Sequence, residues 1–441
     1  MAKYEVKDGV GIIPEGTTKI EDYAFWDCKE LNSVVIPDSV TEIGDYAFTG
    51  TSLTEIVIPD SVIAIGEGAF NACTGLTNIV IPNSMTRLEC NVFGRCTGLT
   101  SIVIPDSITE IGDRAFEGCT GLTNVVIPNS VTKLEREAFA NCTGLTDIVI
   151  PDSVTIIGNS FKGCTGLTSI AVSKGNEVFD SRDNCNAIIK TATNCLVFGC
   201  KTTEIPKSVT TIGMEAFDGC IGLTGIVIPD SVTEIESYVF SNCTGLTNIV
   251  IPNSVIEISK GAFQGCTGLS EIVIPNSVTE IGESVFEKCT SLTSIIIPES
   301  VTIIKSSTFD GCKSLLNVVI PESVTSISVA AFRNCSSLKS IAIPSTVKTI
   351  NRLAFKGCTG LTSIVIPASV TVLRENIFEG CDNLEAIYCH VAAPAQIQIE
   401  RGEELGGHQA TLYVPAGKGV VAAYKKKAVW KKFADIKPME E

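Results

Sequence analysis

The sequence predicts a repeat solenoid, and three observations predict it. A phrase of about 23 residues, S-V-T-x-I-G-x-x-A-F-x-G-C-T-G-L-T-x-I-V-I-P, stands almost unaltered at Ser107–Pro128, Ser130–Pro151, Ser231–Pro252 and Ser277–Pro298; a fixed period of this length marks stacked units, each too small to bury its own core. Phenylalanine keeps the register, at Phe25, Phe48, Phe70, Phe93, Phe116, Phe139 and Phe161 and again at Phe217, Phe240, Phe263, Phe286, Phe309, Phe332, Phe355 and Phe378. Three residues after each Phe comes a Cys, fourteen in all from Cys28 to Cys381, with Thr51 the exception.

Each part of the unit has a local reason. L-T-x-I-V-I-P alternates and is rich in β-branched residues, so it reads as a short strand with Leu99, Ile102 and Ile104 inward and Ser101 and Val103 outward. Proline ends it, and Pro-Asp-Ser or Pro-Asn-Ser turns the chain. S-V-T-x-I-G carries a second apolar pair such as Ile108 and Ile111. The stretch x-x-A-F-x-G-C is expected to make one helical or 3₁₀ turn that plants Phe116 and Cys119 in the core, and Thr-Gly resets the chain. Two short parallel ladders per coil follow, the coil itself serving as the crossover that parallel strands need. Two units, Phe48 to Phe70 and Phe139 to Phe161, are one residue shorter, so one loop tolerates a deletion.

A chain of 441 residues ordinarily splits into several domains. A solenoid escapes that limit, because each coil packs only on its neighbours, so one elongated domain is expected. Its divisions are read as an N-terminal cap (1–9), a first solenoid block (10–170), an irregular double coil (171–206), a second block (207–385) and a C-terminal cap (386–441). The net charge of −16 and pI near 4.7 argue against a nucleic-acid partner, whose phosphates demand a basic footprint. No apolar run reaches the length of a membrane span. The nineteen cysteines are read as free thiols, since columns of like side chains one coil rise apart, about 4.8 Å, hold Cβ atoms farther apart than a disulfide allows. Free thiols and an opening, MAKYEVKDGV, without an apolar leader place the protein in the cytoplasm on this reading; the alternative is secretion or the cell surface after removal of a leader.

The ends and the interruption break the grammar. Phe161 and Phe217 are 56 residues apart, two periods plus ten, with strand-like pieces at Asn186–Ile189 and Cys195–Phe198. These are read as two modified coils with a protruding turn. Near the C-terminus, Glu400–Gly407 is polar, Ala410–Pro415 reads as a last strand, and Lys418–Phe433 as an amphipathic helix whose Val420, Val421, Tyr424, Trp430 and Phe433 cover the final coil. Its Lys425, Lys426, Lys427, Lys431 and Lys432 are read as the solvated face of that cap rather than as a contact for an anionic surface.

Chemistry-bearing patterns are sparse. The two histidines, His390 and His408, sit in no metal or catalytic motif, and no nucleophile elbow or phosphate-cradling loop occurs. Near-identical coils do not build an asymmetric catalytic pocket, so the chain is expected not to be an enzyme and to need no cofactor or metal. The turn column Asp60, Asn83, Asp106, Asn129, Asp152 looks suited to calcium at first, but interleaved Asn instead limits repulsion between stacked carboxylates, about 0.8 kcal/mol per pair in water.

The L-T-x-I-V-I-P-x-S-V-T-x-I-G-x-x-A-F-x-G-C unit, repeated from about Gly9 to Leu384, resembles the BspA-type leucine-rich repeats of bacterial surface antigens, also found in some anaerobic protists. The stretch Ala171–Pro206 resembles a variant double coil of that family, and the closing Y-K-x-x-x-x-x-W-K-x-F pattern its terminal caps. The resemblance implies a right-handed leucine-rich-repeat solenoid used for adhesion or protein binding.

On such a scaffold the outward, concave strand face is the candidate site. Val35, Val57, Val80, Val103, Val126 and Val149, then Val227, Val250, Val273, Ile296, Val319 and Val365, align as an apolar stripe. Beside it runs a polar column of Glu55, Asn78, Ser101, Asn124 and Asp147, then Asn248, Glu271, Ser294 and Asn317. Exposed apolar surface with a polar rim marks interaction sites; the competing explanation is β-propensity on a sheet whose neighbouring valines cover one another. The expected partner is a protein or other macromolecule met by a monomer, the alternative role being a structural or self-associating rod.

Overall fold

Why the chain coils is visible in any one repeat of the computed structural model, which describes residues 3–399 and 404–440. The strand Ser101–Val103 runs parallel to Asn124–Val126, with Ser101 opposite Asn124 and Val103 opposite Val126. Pro105, which has no N–H to continue the ladder, accepts instead from Ile108 N–H at 3.0 Å and closes a turn. The turn serine stitches coils together: Ser153 Oγ donates to Val131 O at 2.6 Å and Ser277 Oγ to Val255 O at 2.7 Å. A second ladder follows, Arg87–Leu88, Glu110–Ile111, Lys133–Leu134 and Ile156–Ile157 in parallel register. Both expected ladders are therefore present.

The Ala-Phe corner makes a third. Its turn has the expected i+3 to i bonds, Cys119 N–H to Phe116 O at 3.2 Å and Glu117 N–H to Arg114 O at 3.0 Å, but it is no helix, because Arg114 (φ 54°) and Gly118 (φ 72°) are left-handed. Alternate amides then point out of the coil, and Arg114, Phe116 and Gly118 donate to Arg136, Ala138 and Ala140 of the next coil at 2.7–2.9 Å. In the same left-handed column, Tyr46 and Tyr238 are each followed by Gly68 and Gly261, where a Cβ would stand 2.5 and 2.4 Å from the tyrosine ring. The ring of one coil lies on the bare glycine of the next.

The chain divides into two units, Met1–Pro206 with Glu215–Cys220, and Lys207–Met214 with Ile221–Glu441. In the first, Phe25, Phe48, Phe70, Phe93, Phe116, Phe139 and Phe161 stack with centroids 5.0–5.7 Å apart. Tyr4 caps the pile at 5.5 Å from Phe25. In the second, Phe240 to Phe378 repeat the arrangement at 5.3–6.2 Å.

All nineteen cysteines are free thiols, as expected. Most lattice thiols have a partner that no sequence pattern announces: Cys119 Sγ donates to Phe93 O and Cys142 Sγ to Phe116 O, both at 3.1 Å, while those carbonyls also accept their own coil's Cys N–H. One carbonyl, with two lone pairs, thus serves two coils. Burial pushes the Cys73 thiol up to about 11 and the Cys381 thiol up to about 12, so neither forms the reactive thiolate at neutral pH. Alkylation of the native protein, read by peptide mass spectrometry, is accordingly expected to mark Cys28, Cys90, Cys195 and Cys220, the partly exposed ones, and to reach the other fifteen only on unfolding. Rapid labelling of Cys119 or Cys289 in the native state would contradict this packing.

Between Ser169–Val172 and Cys200 the first unit leaves the coil path. Ala187–Lys190 and Cys195–Gly199 pair antiparallel with a bulge at Ile188 and Ile189, and Phe179–Asp180 joins the edge. The strands anticipated there exist, as a hairpin meander. Phe198 enters the aromatic pile, 5.7 Å from Phe161 and tilted 47°. The Ala-Phe corner does not notice the insertion: Lys162 Nζ lies 3.2 Å from Glu215 and 2.8 Å from Asp218, and Gly163 backs onto Gly219.

The C-terminal cap differs from its expectation in one respect. The strand is found at Thr411–Val414, but in place of one helix over 418–433 there is a short helix α1 (Val420–Lys426), a 3₁₀ turn at Trp430–Lys432 and a further strand Asp435–Pro438 parallel to Thr411–Val414. Three successive lysines end α1, with Lys427 extended, and the chain breaks so that Trp430 can meet Tyr424 edge-on at 5.2 Å. Tyr424, Trp430 and Phe433 are buried. Of the polar stretch anticipated over 400–407, residues 400–403 lie outside the described residues, as do 1–2 of the N-terminal cap and Glu441.

Candidate interaction surface

The strand face is positioned by the period-two alternation of L-T-x-I-V-I-P. Ile102 and Ile104 are buried, and the residue between them points out. In the first unit Val57, Val80, Val103, Val126 and Val149 are 54–78 % exposed, with Val35 alongside; in the second, Val227, Val250, Val273, Ile296 and Val319 are 55–80 % exposed and Val365 is 41 % exposed. Direct register links Val35 to Val57, Val80 to Val103, Val103 to Val126 and Val250 to Val273. The polar column is exposed too: Glu55, Asn78, Ser101, Asn124 and Asp147 in the first unit, and Asn248, Glu271, Ser294 and Asn317 in the second.

These exposures bear on the competing explanation of the stripe. Valines that covered one another would be largely shielded, yet all but Val365 are more than half exposed. Each therefore forgoes much of the roughly 1.5 kcal/mol or more that burying a valine supplies.

Sequence reasoning missed two neighbours of the stripe. A threonine column, Thr77, Thr123 and Thr146, is exposed beside it; the hydroxyls of Thr77 and Thr123 donate to the preceding coil's threonine carbonyl at 3.3–3.4 Å, while that of Thr146 lies closer to Asp147 Oδ2, at 2.8 Å, than to Thr123 O, at 3.4 Å. On the other flank, in the second unit, Asp230, Pro252, Asn253 and Pro275 form the wall of a shallow groove floored by Val227, Val250 and Val273. The signal is a fixed offset, Asp230 standing three residues after Val227. In the second unit the stripe passes through Ala342 and ends on Tyr388 and Tyr413, which follow Val365 in register and stack at 4.9 Å.

Among the described residues no helix is long and apolar enough to cross a membrane. Comparison with known families matches residues 11–97, 86–193, 194–316 and 302–394 to a family described as BspA type Leucine rich repeat region (6 copies). No curated protein matches the chain. Similar solved structures include a leucine-rich repeat protein from Bacteroides ovatus, 30 % identical with a TM-score of 0.49, covering 78 % of this chain and 91 % of that one. A leucine rich cell surface protein from Faecalibacterium prausnitzii is 29 % identical, with a TM-score of 0.46 and coverage of 86 % and 84 %. A leucine-rich repeat protein from Eubacterium ventriosum is 26 % identical, with a TM-score of 0.45 and coverage of 83 % and 81 %.

Proposed function

The chain belongs to the BspA-type leucine-rich repeat proteins, and from that premise we propose that it is a non-catalytic protein-binding or adhesion scaffold, docking a macromolecular partner along its outward strand face. The observation that carries the reading is the exposure of the valine stripe: apolar side chains held in register, uncovered by one another, beside a continuous polar column. Such a surface gains on contact what folding left unused, and the polar column supplies hydrogen bonds that fix the partner's register. The location proposed with it is the cell surface, as the family resemblance implies; nothing in the comparisons supports the cytoplasmic expectation.

The test changes the stripe two coils apart, so that new carboxylates are not stacked on each other. Val57→Glu/Val103→Glu/Val149→Glu addresses the first unit and Val227→Glu/Val273→Glu/Val319→Glu the second. In pull-downs from host-cell and native-cell lysates, at least one triple variant is expected to lose about tenfold or more of the capture shown by the parent protein. Thermal unfolding should move little, because isolated surface substitutions change stability by about 0.5 kcal/mol or less. A partner captured equally by parent and both variants would remove the stripe from the binding site.

A further inference from the structure

We propose that the C-terminal cap is a docking surface for an anionic lipid bilayer, held by charge at the headgroups and without insertion. Seven lysines, Lys418, Lys425, Lys426, Lys427, Lys431, Lys432 and Lys437, lie between residues 418 and 438 against one carboxylate, Asp435; that segment carries +6 and the rest of the chain −22. Read from sequence, the helix lysines are the solvated face of a cap. The structure adds two facts about this concentration of lysines.

The first concerns partners. Along the coils several cations face carboxylates of the adjoining coil, as in Arg114 with Glu137 at 2.7 Å, Arg87 with Glu110 at 3.5 Å and Lys356 with Glu379 at 3.0 Å. In the cap all seven lysines are exposed, and among the described residues only Lys432, with Glu404, and Lys437, with Asp435 at 3.3 Å, form ion pairs. Lys418, Lys426, Lys427 and Lys431 make no ion pair, and Lys425 acts on Asp435 only through its charge, so the cap concentrates positive charge.

The second concerns what the cap cannot do. Tyr424, Trp430 and Phe433 are buried, and Tyr424 Oη donates to Val391 O at 2.7 Å, so the apolar side of α1 is already used. It has no apolar face with which to enter a membrane. Buried as they are, Tyr424, Trp430 and Phe433 offer no stacking platform for single-stranded nucleic acid. What remains is a cationic patch spread over a helix, a 3₁₀ turn and a strand, which suits an extended layer of anionic headgroups. The acidic body does not prevent this, since charges more than about 8–10 Å from the surface are screened at physiological salt.

The full chain is tested by co-sedimentation with phosphatidylcholine vesicles, with and without phosphatidylglycerol as about a third of the lipid, at about 50 and about 300 mM salt. Retention by the anionic vesicles at low salt, at least about tenfold above neutral vesicles and lost at high salt, is the expected result. Lys425→Glu/Lys426→Glu/Lys427→Glu should abolish it. Lys425→Gln/Lys426→Gln/Lys427→Gln, which adds no repulsion, should weaken it severalfold while leaving thermal unfolding unchanged. The proposal is overturned by no retention at low salt, by equal retention on neutral vesicles, by salt-resistant binding, by an unaffected glutamine variant, or by tighter retention of the chain on a duplex oligonucleotide or on polyphosphate. It stands or falls independently of the valine stripe.

Discussion

Phe116→Ala is expected to cost about 3–5 kcal/mol, measured as the shift of the urea midpoint at constant slope. The ring lies between Phe93 at 5.5 Å and Phe139 at 5.0 Å, fully buried, so its removal leaves a void walled by two further rings. Those walls cannot close in, because the coils that carry them are held apart by ladders on every side: Phe116 N–H to Ala138 O at 2.8 Å, and the paired strands Ser101–Val103 and Asn124–Val126. The loss therefore includes a cavity contribution as well as transferred area. Coils are stabilised by their neighbours, so the weakness should spread to the two adjoining repeats and appear there as faster amide exchange. Phe116→Leu, which keeps most of the volume, should recover the greater part. A loss below about 1 kcal/mol for the alanine variant would mean that the stack collapses freely and is not what holds the coils in register.

Gly199→Val is expected to destabilise the first unit by about 1–3 kcal/mol or more, although the position is no turn and its backbone is ordinary for any residue. The reason is space. A Cβ at Gly199 would stand 2.3 Å from Phe217 Cε1 and 2.5 Å from Cζ, with Thr203 Oγ1 at 3.0 Å. The strand cannot step back, since Gly199 N–H donates to Ala216 O at 2.9 Å. If the ring is the obstacle, Phe217→Leu should cost less in the Gly199→Val background than in the parent, a coupling that a double-mutant cycle reads directly. Gly225→Ala serves as the contrast, with only Asn248 O at 3.4 Å from the new Cβ, and should be near neutral. Equal effects at the two glycines would argue that the hairpin is not packed as described.

The two experiments fall on opposite sides of what could be read without coordinates. Phe116 was legible as core from its column alone, because a residue recurring every 23 positions in a stack of like coils must meet its own copies. The same holds for Val103, whose outward direction follows from alternation with Ile102 and Ile104. Gly199 was not legible. Its neighbour Phe217 is remote in sequence, and the segment between them has no periodic partner to reveal the approach. The Ala-Phe corner was half legible: the turn was expected, but its left-handed residues include Arg114 and Glu137, for which no glycine gives warning.

Sequence by itself determined the period, the inward and outward faces, the turns at Pro-Asp-Ser and the free state of the thiols. Each of these depends only on local pattern and on contact between like coils, and repetition states that contact in advance. Tertiary structure alone decided the third ladder, the thiol-to-carbonyl bonds, the antiparallel hairpin and the breaking of the terminal helix at Lys427. In those places a segment is held by residues unlike itself and far along the chain, and the free energy of such meetings is written in no single stretch of sequence.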